Sequence, residues 1–395
     1  MRLWAALIWL LASLLPTAAQ ASVERFAVII GNNRGQPDDP ELQYAESDAV
    51  RVFEVLRELG GFQPVNMVLL RDESAEVVQR SLIAVNDRIR SAISLPGEQA
   101  LLFVYYSGHA DADDLHLGST RLPISQLAQL ARGSAASFRL VVLDACHSGA
   151  LTRLKGGKLR PKFDLPGEPL LEDGLAFLTA TSINEDAQES DELRASFFTH
   201  SLVSGLLGAA DRDGNGEVAL DEAYRYAYDL TVRATSRTLS GTQHPAFRYD
   251  FRGQGGVVLT RPEAYAEQRA TLHLPKGYGV LLMRDGADGP VVAEVADGSA
   301  QRSLSLRPGR YFVRARAARV LYEGQLNAAA AKALSLDVTQ LQRIEYARLV
   351  RKGKGALPWS QALELGARLR GQRDGTCLRP RSAALPRLGH VGVRV

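Results

Sequence analysis

Two apolar runs in this chain each lead into a side chain able to do chemistry. Leu101-Leu102-Phe103-Val104-Tyr105-Tyr106 runs into Ser107-Gly108-His109, and Leu140-Val141-Val142-Leu143 runs into Asp144-Ala145-Cys146. Short apolar, β-branched or aromatic runs stopped by glycine predict buried strands of a parallel sheet, and such a sheet presents its chemistry beyond the carboxyl ends of its strands. Neighbouring strands lie about 4.8 Å apart, so an imidazole at one tip and a thiol at the next face each other. That pairing suits nucleophilic catalysis: His109 takes the thiol proton, the sulfur of Cys146 attacks, and the imidazolium later protonates a leaving amine. Gly108 is read as a point of close backbone approach, and its N–H together with that of Cys146 as the pair of donors to an oxyanion. No acidic third member is evident. His147 follows the nucleophile directly, points away from it, and is read as structural.

The elements that must carry these residues alternate. Strands are expected at 26–31, 66–71, 100–106, 139–144, 174–180 and 256–260, and helices at 45–60, 75–93, 125–131, 197–207 and 220–235. This alternation predicts an α/β fold with a mostly parallel sheet flanked by helices on both faces. Beyond residue 262 the pattern changes to short alternating segments at 271–274, 279–284, 291–295, 303–306, 311–315 and 334–338, separated by Asp-Gly and Pro-Gly turn signals. A small all-β, sandwich-like domain is expected there. The resulting plan is a signal peptide over 1–21, an α/β domain over 22–262, a β accessory domain over 263–345 and a basic tail over 346–395.

Tyr105-Tyr106-Ser107-Gly108-His109 resembles the histidine motif of the caspase-like cysteine peptidases, in their bacterial and metacaspase-type branch. Asp144-Ala145-Cys146-His147-Ser148-Gly149 resembles their D-x-C-H-S-G cysteine motif. The likeness extends from about Phe26 to Thr260. It implies a caspase-like fold and peptide-bond hydrolysis by Cys146 with His109, with no cofactor in the chemical step. Metacaspase-like members cut after Arg or Lys, with acidic residues at the pocket base. The matching positions are Asp144, two before the nucleophile, and Asp48, where Ser47 stands in place of the family's asparagine. A buried carboxylate pair independently favours a cationic side chain. Family members often process themselves in the loop after the cysteine motif, and here that loop, 153–162, is rich in Arg and Lys.

A separate motif begins at Asp211. Asp211-Arg212-Asp213-Gly214-Asn215-Gly216-Glu217, ending at Glu222, fits the calcium loop of an EF-hand. Side-chain oxygens come from Asp211, Asp213 and Asn215, a backbone carbonyl from Glu217 and a bidentate carboxylate from Glu222. The calcium required by many metacaspase-like enzymes binds elsewhere, so the two sites are not equated.

Composition narrows the setting. A formal net charge of +3 over 395 residues, without an aromatic-interleaved basic stripe, argues against a nucleic-acid partner. The apolar run Leu3–Leu15 followed by Ala19-Gln20-Ala21 has the form of a secretory signal peptide, and no later segment is long enough to span a membrane. A secreted or periplasmic protein is expected, acting on protein or peptide substrates, with the β domain as a module for a protein partner. Two cysteines in an exported chain leave a Cys146–Cys377 disulfide open as an alternative that would abolish the nucleophile. The competing function is a catalytically silent, calcium-responsive interaction module.

Overall fold

Each of the apolar runs forms a strand, and the segments between them form the helices that cover the sheet. The computed structural model describes residues 23–95, 97–146, 174–182, 185–251, 256–299 and 302–345. The expected signal segment at 1–21, His147, the basic loop at 153–162, the expected tail at 346–395 and Cys377 lie outside the described residues. In chain order the elements are β1 (Val23–Gly31), α1 (Ala45–Leu59), β2 (Met67–Arg71), α2 (Ala75–Ala92), β3 (Gln99–Ser107), the hairpin β4 (Asp114–Leu117) and β5 (Thr120–Pro123), α3 (Ile124–Arg132) and β6 (Phe138–Asp144). They continue with β7 (Gly174–Thr179), the short pair β8 (Glu189–Ser190) and β9 (Ala195–Ser196), α4 (Phe197–Ser204), β10 (Val218–Ala219), α5 (Leu220–Thr235), β11 (Ala246–Phe251) and β12 (Val258–Thr260).

The central sheet has the order β11-β7-β6-β3-β1-β2, and β11 alone runs antiparallel to its neighbour. Strand side chains alternate between faces. Ala27, Ile29, Phe103, Tyr105, Leu140 and Val142 therefore pack on one face under α1, α4 and α5, while Val28, Ile30, Val104, Tyr106, Val141 and Leu143 pack on the other with α2 and α3. Burial of both faces explains why these strands read as unbroken apolar runs. Each fully buried large side chain contributes about 1.5–3 kcal/mol.

The expected last strand of the sheet at 256–260 is corrected. That segment, as β12, pairs with β10 in a two-stranded ribbon, and the sheet closes instead on β11 against β7. An apolar run marks a strand buried on both faces. β11 is an edge strand in which buried Phe247 alternates with half-buried Arg248, so it lacks that mark.

Helix α1 packs its buried stripe of Ala45, Ala49, Val52, Leu56 and Leu59 against the sheet, and Asp48 lies within this stripe. Gly31 makes the approach close, since a Cβ there would stand 2.7 Å from the Ala45 carbonyl and from Ala49 Cβ. The first turn of α1, and Asp48 with it, consequently sits directly on the end of β1.

After β12 come β13 (Ala270–His273), β14 (Gly279–Arg284), β15 (Val291–Val295), β16 (Ser303–Leu306), β17 (Gly309–Arg316), β18 (Val320–Ala328), β19 (Ala333–Ser335) and β20 (Gln342–Glu345). They form a three-stranded sheet, β16-β13-β19, and a five-stranded sheet, β15-β14-β17-β18-β20. Residues as far as Ile344 make one compact unit, and a single hydrophobic core runs from Ala27 and Leu56 through Leu206 to Leu272, Leu282 and Val313. Packing is thus continuous across position 262. Buried Arg269 donates to Glu58 of α1, and Arg307 reaches both Glu58 (2.7 Å) and Glu54 (2.9 Å).

Candidate active site

Strands β3 and β6 pair in parallel with Ser107 opposite Asp144, and Gly108 N–H donates to the Asp144 carbonyl at 3.2 Å. Two residues beyond each partner stand His109 and Cys146. Both follow directly on the carboxyl ends of adjacent strands.

The imidazole is held by a backbone group. His109 Nε2 lies 2.6 Å from the Pro40 carbonyl oxygen. A carbonyl only accepts, so Nε2 carries the hydrogen and Nδ1 is left as the basic nitrogen. This carbonyl fills the orienting role for which the sequence offers no acidic candidate. The thiol has its own partner, with Cys146 Sγ 4.0 Å from the Ala187 carbonyl oxygen. Among the described residues no hydrogen bond joins thiol to imidazole. Burial pushes the Cys146 thiol up, and the nearby carboxylates of Asp186 and Asp144 push it the same way, outweighing the Ala187 hydrogen bond. The sulfur therefore rests as the thiol and is free of any disulfide.

Gly108 does not match its expected role. Its N–H is engaged by Asp144 within the sheet and is not a free oxyanion donor. A Cβ on Gly108 would meet the Tyr106 hydroxyl at 2.5 Å and the Asn32 carbonyl at 3.0 Å, so the glycine makes room for protein groups rather than for substrate. Further along, His116 N–H donates to the His109 carbonyl and Asp111 N–H to the Asp114 carbonyl. In that antiparallel bridge the Ala110 N–H points away from β4.

The two acidic positions are brought together under the nucleophile's strand. Asp48 is fully buried and Asp144 is 3% exposed. Ser196, at the start of α4, joins them: its N–H donates to Asp48 Oδ2 at 2.8 Å and its hydroxyl donates to Asp144 Oδ2. Thr199 donates its hydroxyl to Asp144 Oδ2 at 2.6 Å, and Tyr105 supports Thr199 from behind. The second oxygen of each carboxylate, Asp48 Oδ1 and Asp144 Oδ1, is buried without a hydrogen-bond partner. Arg51, one turn along α1, stands 3.7 Å from Asp48 Oδ1, too far for a hydrogen bond.

These environments act on both acids. Burial pushes Asp144 up to about 6 against the hydrogen bonds from Ser196 and Thr199, and Glu189 adds to the rise. Burial raises Asp48 well above the usual carboxylate range, opposed by Arg51 and reinforced by Asp144. Glu189 also accepts the Gln43 and Tyr44 N–H groups at 2.9 and 3.0 Å, tying β8 to the start of α1. Sequence reading missed Pro40, Ser196, Thr199 and Glu189. Only Ser196 left a signal, as a serine cap before a helix.

In the acidic loop, carboxylate oxygens of Asp211, Asp213 and Glu222 lie within 4.8 Å of one another. Asp211 accepts the N–H groups of Gly214, Asn215 and Gly216, and Glu222 accepts those of Arg212 and Ala219. The Glu217 side chain turns to Arg261 at 2.8 Å, leaving its carbonyl as the group it can offer.

Comparison with protein-family models matches residues 24–252 to the caspase domain of the peptidase C14 family. Among solved structures the chain is similar to caspase-1 from Spodoptera frugiperda, with 14% identity over 61% of this chain and 92% of that one, at a TM-score of 0.43. That likeness is too distant to carry residue roles across. No curated protein matches the chain.

A protonated resting thiol has a measurable signature. Alkylation of Cys146 by iodoacetamide, followed by peptide mass spectrometry, is expected to rise with pH to beyond the range of an ordinary cysteine. A rate plateau below pH 7 would instead reveal a standing thiolate–imidazolium pair.

Proposed function

We propose, on the premise that this chain belongs to the caspase domain family, that it is an exported cysteine endopeptidase cutting after Arg or Lys by means of Cys146 and His109. The observation that carries the specificity is the pair of buried carboxylate oxygens, Asp48 Oδ1 and Asp144 Oδ1, that have no hydrogen-bond donor. Buried acceptors without donors are costly, and a guanidinium or ammonium group supplies donors and charge together. The leader-like segment at residues 1–21 supports action outside the cytoplasm.

In the proposed reaction the substrate's basic side chain enters between Asp48 and Asp144, which sets its carbonyl carbon before Cys146. Nδ1 of His109 takes the thiol proton as sulfur attacks, and the carbonyl π electrons move onto oxygen. Because Gly108 N–H is engaged, the amides of Cys146 and Ala110 are assigned to that oxyanion. Collapse expels the amine, which leaves with the proton from His109. Water, deprotonated by the same nitrogen, then hydrolyses the thioester and restores the thiol. The Pro40 carbonyl keeps Nε2–H in place throughout, so proton traffic passes through one nitrogen.

Purified mature protein assayed on fluorogenic peptides is expected to cleave after Arg and Lys and not after Asp, and Cys146→Ala is expected to abolish the activity. Equal signals from both proteins, or none from either, would favour the silent interaction module.

The same carboxylates should cost stability. An acid held near 6 in the fold and near 3.8 when unfolded stabilises the fold fully below pH 3.8, and this contribution disappears as pH rises through 6. By linkage the difference is about 3 kcal/mol. Asp144→Asn is therefore expected to unfold at higher temperature than wild type at pH 7 and at about the same temperature at pH 4, while KM for Arg peptides rises at least tenfold. Equal unfolding temperatures at pH 7 would contradict this.

The loop at Asp211 has an all-oxygen donor set that fits calcium. Burial raises Glu222, with Asp213 and Asp221 adding like charge, so a cation would relieve the cluster. Calcium at about a hundred times its dissociation constant would add about 2.7 kcal/mol and raise the unfolding temperature by about 2 °C or more. Asp213→Ala should remove the rise. An unchanged wild-type melt in millimolar calcium would dismiss the site.

A further inference from the structure

We infer that His116 is a positioning residue for His109, acting through Asp39 to fix the Pro40 carbonyl that holds the ring of the catalytic histidine. This inference rests on the dyad proposed above and adds a layer behind it.

His116 lies on β4 with only 8% of its side chain exposed, and each ring nitrogen meets a carboxylate: Nδ1 is 2.6 Å from Asp39 Oδ2 and Nε2 is 3.1 Å from Asp111 Oδ2. Ionised carboxylates only accept hydrogen bonds, so a ring nitrogen that carries hydrogen donates to the carboxylate it faces. The two arms are unequal. Each carboxylate closes a turn, Asp111 by accepting the Asp113 and Asp114 N–H groups, but Asp111 is nearly half exposed and shared with Arg121 at 3.3 Å, whereas Asp39 is mostly covered and its turn leads directly into Pro40. Asp39 Oδ2 also accepts Gln36 N–H at 2.7 Å, and its own N–H donates to the Gln36 carbonyl at 2.9 Å. Burial works to raise the Asp39 carboxyl, but the hydrogen bonds from His116 and Gln36 outweigh it and hold the group below the usual range.

Pro40 follows Asp39 directly, and its carbonyl meets His109 Nε2 at 2.6 Å. Fixing the Asp39 side chain therefore fixes the peptide that selects the tautomer of His109. The backbone adds a second link. His116 N–H donates to the His109 carbonyl at 2.9 Å, and the buried Tyr106 hydroxyl lies 2.6 Å from that carbonyl and 2.8 Å from the carbonyl of His116. His116 thus grips His109 through both the main chain and the Asp39–Pro40 turn. A reacting group displaced by about 1 Å loses on the order of a hundredfold in rate, which makes such support necessary.

Side-chain geometry separates the two arms. The amide nitrogen of asparagine replaces histidine Nδ1, and that of glutamine replaces Nε2. His116→Asn should keep the Asp39 arm and stay within about threefold of wild-type kcat. His116→Gln keeps only the Asp111 arm and should lose about 10- to 100-fold in kcat with KM unchanged, as should Asp39→Ala. Combining Asp39→Ala with His116→Gln should cost little more than either alone.

Long-range proton–nitrogen spectra of 15N-histidine protein give a readout independent of turnover. His109 should be the Nε2–H tautomer in wild type and His116→Asn, and a mixture in His116→Gln and Asp39→Ala. Identical behaviour of the Asn and Gln variants, or an unchanged His109 signal in Asp39→Ala, would overturn the positioning role. Should wild type cleave no peptide, the dyad proposal fails, while the tautomer comparison still decides whether His116 orders His109.

Discussion

Parallel pairing of β3 with β6, in the register that sets Ser107 against Asp144, is the constraint on which the site depends. Strand side chains repeat every two residues, so this register puts Tyr105 and Ser107 on the same face as Val142 and Asp144, and sets level the two strand ends from which His109 and Cys146 follow. A slip of one residue would move either Ser107 or Asp144 to the opposite face and break the Gly108–Asp144 hydrogen bond that ties the two strand ends together. The register is in turn fixed by burial on both faces, since Phe103 and Val104 pack into different cores. Hydrophobic packing well below the site therefore decides the geometry of groups that are themselves only half buried.

The site also divides orientation from reactivity. Two backbone carbonyls, of Pro40 and Ala187, take the hydrogens of imidazole and thiol, and neither carbonyl changes charge during a reaction. Acidic groups are gathered instead around Ser196, where Asp48, Asp144 and Glu189 meet and burial raises the first two. Burial and the carboxylates of Asp186 and Asp144 together raise the Cys146 thiol. Stability is lost to hold Asp48 and Asp144 buried, a common trade at functional sites.

Much of this was legible in residue order. Apolar runs ending in His109 and Cys146 identified the central strands, because strands buried on both faces need continuous apolar sequence. Asp48 and Asp144 were reached through the resemblance of their motifs to the family's, and the structure sets Asp48 within the buried stripe of α1. What stayed hidden has physical reasons. A carbonyl donates no information through its side chain, so Pro40 and Ala187 could not be picked out. The half-buried edge strand β11 lacks an apolar run, and the assignment passed to the more apolar β12. Gly108 was misread because a glycine beside a reactive residue suggests substrate contact, whereas here the space is filled by Tyr106 and Asn32.

Helix α1 shows why the β-rich region belongs to the same folding unit. Its first turn carries Asp48 to Ser196 beside Asp144, and its last turns carry Glu54 and Glu58 to Arg269 and Arg307 of the β-rich region. Arg269 is buried, and burial lowers its guanidinium despite Glu58 beside it. Deleting one partner of such a pair leaves the other buried without compensation, a loss of several kcal/mol. Apolar contacts run the same way, because Leu56 and Leu59 share their core with Leu272 and Leu306. The helix is therefore held at both ends by different parts of the chain, and the position of Asp48 depends on packing contributed more than two hundred residues later.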